Sequence, residues 1–307
     1  MIMSRLSRAY FPNREHSSPE LLHYAFMFVR GIHTGIMPYR VGGKYPYTAS
    51  LSRNNQTLSR ELAKFLSIGH HDGILLDETL REAIETLSRY IVTFGEVYLE
   101  IVYEDVKNKT GIKNKKLEFL PWGKVIRVFG RYIQIVPLRN WKRGEKIFYI
   151  IPSDRIWHIK LPRKLGTPHE HRKMLKKLNA LSEPMPKFTH KDGDLGQSAR
   201  YDFMVHNHAK EIAVEQTTSR WGSIRSLSQI KGTTEYYYIV NRLQATYSQA
   251  LLREHMINEI NDLLRKLGVK NNIKLEGLKL ATDIKDTIKK LEKGEMGFDE
   301  AVSAIKH

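Results

Sequence analysis

Cysteine is missing altogether from these 307 residues. That excludes disulfides, thiolate-held zinc and thiol nucleophiles, and leaves any metal only histidine and carboxylate ligands. Long apolar runs are missing too. No stretch approaches the roughly 18 residues that span a bilayer, and the most apolar early segment, Tyr24 to Ile36, is broken by Arg30 and His33. The opening MIMSRLSRAYFPNREH lacks the continuous apolar region of a signal peptide, so an intracellular protein with no membrane partner is expected. No glycine-rich phosphate loop follows a strand-like run, and Ser153 and Asp154 have no histidine at triad spacing. Nothing in the residues points to catalysis, and no cofactor is expected.

Acidic residues are scarce relative to basic ones. Asp and Glu number 33 against 50 Lys and Arg, giving a net charge of +17 and a pI near 9.8. Such an excess points to a polyanionic partner, usually nucleic acid, without implying that sequence is read. The rest of the composition, 41% hydrophobic and 27% charged, is that of an ordinary globular protein long enough to bury a core.

The pattern along the chain divides it into four parts. Residues 1–16 read as a flexible basic arm, and residues 17–160 as an α+β domain. In the latter, Ser17-Ser18-Pro19-Glu20 reads as a helix start, with the helix running to about Arg30. Leu58 to Leu66 is a short helix, and Asp77 is expected to cap a longer one, Glu78 to Phe94, ending at Gly95. The stretch from Ile91 to Lys160 then breaks into short β-rich runs. Val97, Leu99 and Ile101 alternate with Glu96, Tyr98 and Glu100, as in a strand with one face in the core. Val125 to Phe129 and Ile133 to Val136 flank a Gly130-Arg131 turn. Ile147 to Ile151 and Arg155 to Ile159 flank Pro152-Ser153-Asp154. The expected fold is α+β, built on a small, mostly antiparallel sheet fed by one helix.

Residues 161–200 read as a basic helix, Pro168 to Leu181, and a polar loop. Residues 201–307 read as helical, with one long helix from Thr233 to Leu267, a short strand in Lys274 to Leu280, and helices over Thr282 to Lys293 and Phe298 to Ile305.

The candidate functional residues follow from this layout. Arg163, Lys164, Arg172, Lys173, Lys176 and Lys177 form a basic cluster suited to backbone phosphates, with the three lysines at i, i+3 and i+4. A solvated helix face has the same composition, so the residues alone leave both readings open. On the long helix, Tyr237, Tyr247, Arg253, Glu254, Asn258 and Asn261 suit packing against another helix or a neighbouring subunit. Tyr236-Tyr237-Tyr238 and Trp221 fit core or interface better than base stacking. A metal site is not expected. His169 and His171, or His206 and His208, at i, i+2 on helices point about 200° apart, and His70-His71 reads as a turn. Glu96, Glu100, Glu104, Asp105 and Lys107 are the best local group for a metal-dependent nuclease, but the glutamates are expected on a solvent face.

Several passages resemble the portal proteins of tailed bacteriophages. Glu85 to Asp105 (ETLSRYIVTFGEVYLEIVYED) is similar to the portal helix that runs through a glycine into the first strand of the wing. IPSDRIWHIK, from Ile151 to Lys160, resembles the Pro-x-Asp-x-Ile-His strand of that wing, and RNWKRGEKIFYI before it resembles a variable hairpin. LREHMINEINDLLRKLG and LEKGEMGFDEAVSAI resemble late portal helices. The likeness spans most of residues 78–160 and parts of 233–307. It implies a wing-like domain in 17–160 and a helical stem or crown in 201–307. It implies a homo-oligomeric ring of about twelve copies that acts as a DNA conduit at the capsid vertex and nucleates capsid assembly. Its partners would be non-specific double-stranded DNA, the packaging terminase, and capsid or adaptor proteins. Its location would be the virion, or the cytoplasm of an infected bacterial or archaeal cell. A monomeric or dimeric nucleic-acid-binding protein is the alternative, and a nuclease comes after it.

Overall fold

A computed structural model of the chain describes residues 20–40, 42, 44–52, 55–68, 75–103, 111–121, 124–136, 146–182, 203–222 and 235–305. The elements are α1 (His23–Thr34), β1 (Thr48–Leu51), α2 (Gln56–Leu66), α3 (Leu76–Phe94), β2 (Glu96–Tyr103), β3 (Lys115–Phe119), β4 (Val125–Val128), β5 (Arg131–Ile135), β6 (Phe148–Ile151) and β7 (Ile156–Lys160). They continue with α4 (Pro168–Ser182), α5 (Phe203–Thr218), α6 (Glu235–Lys266), β8 (Ile273–Glu276), α7 (Ala281–Glu292) and α8 (Phe298–Ile305). The α+β class stands.

The single expected sheet is instead three antiparallel ones: β3-β2-β7, β4-β5-β6 and the two-stranded β1-β8. The turn expected at Pro152 to Asp154 is present, but the strands it joins do not pair with each other. Ser153–Arg155 forms one 3-10 turn that carries the chain from β6 in one sheet to β7 in another. The tight hairpin lies one residue earlier than expected. Val128 pairs with Arg131, and Phe129 and Gly130 both take positive φ, at 45° and 76°.

Helix α3 shows how local sequence and packing agree. Leu80, Ile84, Leu87 and Ile91 recur at helical spacing and are all fully buried. Each such side chain contributes about 1.5–3 kcal/mol by leaving water. Gly95 ends the helix in the left-handed region at φ 83°, and its N–H donates to Ile91 O. A Cβ there would stand 2.9 Å from Pro168 Cα, so glycine also lets the start of α4 approach.

Two expected caps are placed otherwise. Leu75, not Asp77, precedes α3, and the Asp77 carboxylate instead accepts the Ala49 N–H at 2.6 Å, tying β1 to the helix. Helix α1 begins at His23, after an extended Leu22 and later than the expected start at Ser17 to Glu20, of which residues 17–19 lie outside the described residues. Its first amides are capped from another helix: Leu22 N–H donates to Asn179 Oδ1 and Tyr24 N–H to Ser182 Oγ. Orphan donors at a helix start need such acceptors, and here α4 supplies them.

Strand β2 overturns the expectation of a one-sided strand. Its residues are buried along nearly its whole length, and Glu100 is fully buried rather than solvent-facing. One large core joins side chains from α1, α2, α3, α4, α6 and α7 with the inner faces of β2 and β7. A second, smaller cluster of Tyr98, Leu120, Val125, Tyr132, Ile151 and Ile156 joins β2 and β7 to the β4-β5-β6 sheet. Helix α6, 32 residues and about 48 Å long, runs through the large core.

Candidate nucleic-acid interface

Helix α4 is started by a reciprocal cap. Thr167 Oγ1 accepts the Glu170 N–H at 3.2 Å, while Glu170 Oε2 accepts the Thr167 N–H at 2.8 Å, with Pro168 in the first turn. This Thr-x-x-Glu box was readable in the sequence. His171, Leu175 and Leu178 point into the core from one side of the helix. Lys173, Lys176 and Lys177 therefore face solvent on the other, and all three are exposed. Arg163 and Lys164 are exposed on a 3-10 turn just before the helix. None of these five cations makes an ion pair among the described residues.

Arg172 does not belong to this face. Its Nη1 lies 3.1 Å from Glu96 Oε1 and 3.5 Å from Phe94 O, so it fastens α4 to the junction of α3 and β2. Glu96 is the hub of a polar chain, with its Oε2 3.1 Å from His158 Nε2. His158 Nδ1 in turn lies 3.3 Å from the Tyr132 hydroxyl on β5, and the imidazole stacks on Tyr98 at 4.1 Å. Burial pushes the Glu96 carboxyl up, but hydrogen bonds from His158 and Arg172 outweigh it and hold the group down at about 2. Burial and the neighbouring Glu96 carboxylate push the Tyr98 phenol well above its ordinary value.

Of the acidic group that suggested a nuclease, the structure describes Glu96 and Glu100, and both are engaged by cations of the chain's own fold. Glu100 is buried and paired with Arg155 at 3.0 Å, and Arg155 sits over the Tyr103 ring. Glu96 serves His158 and Arg172. Glu104, Asp105 and Lys107 lie outside the described residues. Among the described residues no group of three or more His, Asp or Glu side chains is placed to hold a metal ion.

The histidine pair that is fully described, His169 and His171, separates as well. His171 is buried, with Nε2 2.6 Å from Val92 O, while His169 is exposed. His208 is exposed, and the side chain of His206 and all of His70 and His71 lie outside the described residues. Trp221 is core, packed edge-on to Phe28 at 5.4 Å and tilted against His171 at 5.3 Å.

On α6 the candidate assembly residues divide. Tyr237 and Asn258 are exposed, and Tyr247 is half-buried against the core. Three others are turned to the chain's own fold. Arg253 donates to Ile36 O at 3.1 Å and also to Lys279 O. Glu254 accepts the Ala281 N–H at the start of α7, and Asn261 makes a two-way pair with the Ile273 backbone. Ser248 and Gln249 were missed: they are buried and donate to Trp221 O and to the α1 carbonyls of Gly31 and Ile32. Their only signal was polarity within an apolar stripe.

No protein-family model matches the chain, and no curated protein matches it. Among solved structures it is similar to a chain described as "Neck of empty GTA particle computed with C6 symmetry", with a TM-score of 0.52 and 15% identity. The match covers 90% of this chain and 86% of that one, and at such identity it is a likeness of fold.

Proposed function

We propose that this chain is a structural, non-enzymatic subunit of a phage-like particle that assembles into a portal-type ring and gives DNA a passage at the capsid vertex. The observation that carries the reading is the fold likeness to a particle-neck chain over nearly the full length of both. The portal-like passages are compatible with it. They fall on α3 running through Gly95 into β2, on β6 to β7, and on the end of α6 and α8. A ring of about twelve copies also obeys the six-fold symmetry named for the neighbour. In such a ring the exposed lysines of α4 would touch phosphates weakly and without sequence preference, and tight binding would stall passing DNA. Docking of the terminase and nucleation of the capsid belong to the same reading.

Mass photometry and negative-stain microscopy of the purified chain test it. Closed rings of uniform copy number are the expected outcome. A species that stays monomeric at every concentration and still shifts DNA would overturn the ring. It would favour the second reading, a basic nucleic-acid-binding protein whose footprint is the exposed Arg163, Lys164, Lys173, Lys176 and Lys177.

A further inference from the structure

The β4-β5-β6 sheet has an uncovered side. Its inner face gives Val125, Tyr132 and Ile151 to the smaller core. Strand alternation then sends Ile126, Val128, Ile133, Ile135, Phe148 and Ile150 to the opposite face. Register aligns them: Ile126 opposes Ile133, Ile133 opposes Ile150, and Ile135 opposes Phe148. Ile133 is half-buried, and the other five are 36% to 55% exposed. At the hairpin tip Phe129 is fully exposed and held at φ 45°, a conformation that non-glycine residues adopt rarely. Cross-strand aliphatic rows of this kind normally mark a face that packs on something.

Charge decides what covers it. Within the three strands only Arg131 is ionic on that face, and Lys124 and Lys146 stand at its ends, one residue before β4 and two before β6. A nucleic acid or an acidic partner would be met by cations across the centre of the contact, where this face carries only aliphatic and aromatic side chains. A second copy of a +17 chain is repelled wherever cation meets cation, so a nearly uncharged surface is where two copies can meet. An aromatic and aliphatic centre with arginine at its margin is also the composition of a subunit interface core.

Area agrees. Phe129 offers about 200 Å², and five more apolar side chains on the face stand 36% to 55% exposed, together a large share of the roughly 800 Å² per partner of a stable contact. Strands β4 and β6 are the ends of the sheet, so among the described residues their outer edges have no strand partner and can receive backbone hydrogen bonds from a neighbour.

We infer that the outer face of β4-β5-β6, with Phe129 as its projecting knob, is covered by an adjacent copy of this chain in the assembled particle. The inference rests on the ring reading and adds to it the surface through which subunits touch.

The absence of cysteine makes a clean test possible. Ile126→Cys, Ile135→Cys and, as a control on the exposed side of α7, Lys285→Cys each introduce one thiol into the full chain. Maleimide labelling rates are then compared between assembled and dissociated protein. The first two thiols should be protected at least about tenfold in the assembly, with the control equally reactive in both states. Phe148→Asp, with an unchanged circular dichroism spectrum, should shift the population from rings to monomers. Rings whose thiols at 126 and 135 label as fast as in the monomer overturn the inference and leave the ring intact. Protection that appears only on adding lipid vesicles overturns it in favour of a membrane surface. A chain that never assembles removes both readings.

Discussion

His158 Nε2 lies 3.1 Å from Glu96 Oε2, and the same imidazole reaches through Nδ1 to the Tyr132 hydroxyl. One histidine thereby joins β2 and β7 to the neighbouring sheet through β5. Arg172, on the other carboxylate oxygen, adds α4 to the same node. Among the described residues, the β4-β5-β6 sheet thus meets the body of the protein through a small apolar cluster and through this polar chain.

The node makes stability depend on acid. Glu96 has an ordinary value of 4.5 and is held at about 2 in the fold. Because the folded value is the lower one, the contribution is complete above about pH 4.5 and is lost as pH falls toward 2. Glu96→Gln should cost about 1–3 kcal/mol near neutral pH. It should also flatten the melting-temperature profile between pH 4.5 and 2. Thermal melts across that window check both, and an unchanged slope would mean that the carboxylate is not held by its partners.

A second window lies higher. His171 is buried, and burial together with the nearby Arg172 guanidinium lowers it from 6.5 to about 4, against the opposing hydrogen bond to Val92 O. The imidazole is neutral in the fold and gains a proton more readily when unfolded. Its contribution is therefore complete above about pH 6.5 and is lost as pH falls toward 4. His171→Gln should lower stability at pH 7 yet lessen the decline between pH 6.5 and 5, where Glu96 has not begun to titrate. Urea unfolding at three pH values separates the two groups.

Two glycines test backbone conformation against space. Gly222 has φ 78°, and a Cβ there would fall 2.3 Å from Ala245 N and 2.4 Å from Asn241 O on α6. Gly294 has a similar φ of 71° but open space around it. Gly294→Ala should cost only the left-handed penalty of about 1–2 kcal/mol. Gly222→Ala must also push α6 away from Trp221 and should cost on the order of 3 kcal/mol or more. Equal destabilisation would show that the close approach to α6 is relaxed at little cost.

The sequence makes the helices legible because their signals are local. The long helix expected over Thr233 to Leu267 is found at Glu235–Lys266, and the stop expected at Gly95 is present. Pairing over distance has no such signal. Thr48–Leu51 has four residues and no periodicity, yet it pairs with Ile273–Glu276 across more than two hundred residues. Glu100 looked like a solvent position because its neighbours alternate. It is buried because Arg155, far along the chain, supplies the compensating charge. The basic cluster is legible as a cluster but not in its membership, since Arg172 turns to Glu96 while the adjacent Lys173 turns to solvent. In the same way, Arg253, Glu254 and Asn261 carry the polarity of an interface, and the partners they meet belong to their own chain.

The division of the basic cluster separates contact with DNA from stability of the fold. A lysine that binds a DNA phosphate releases a counterion, so removing one such lysine lowers the slope of log affinity against log salt by about 0.9 on duplex DNA. If Lys173, Lys176 and Lys177 touch DNA as a group, replacing all three by Gln should weaken binding at low salt. It should reduce the slope by up to about 3, equally for any sequence, and leave the melting temperature within a degree or so because all three side chains are exposed. Arg172→Gln should do the reverse. It breaks the 3.1 Å ion pair with Glu96, so it should lower stability and narrow the acid window of Glu96 while barely changing the salt slope. Fluorescence anisotropy on two unrelated duplexes at several salt concentrations measures the slope, and melts of the same variants measure stability. A lysine variant with an unchanged slope would make the α4 surface a solvated face and nothing more.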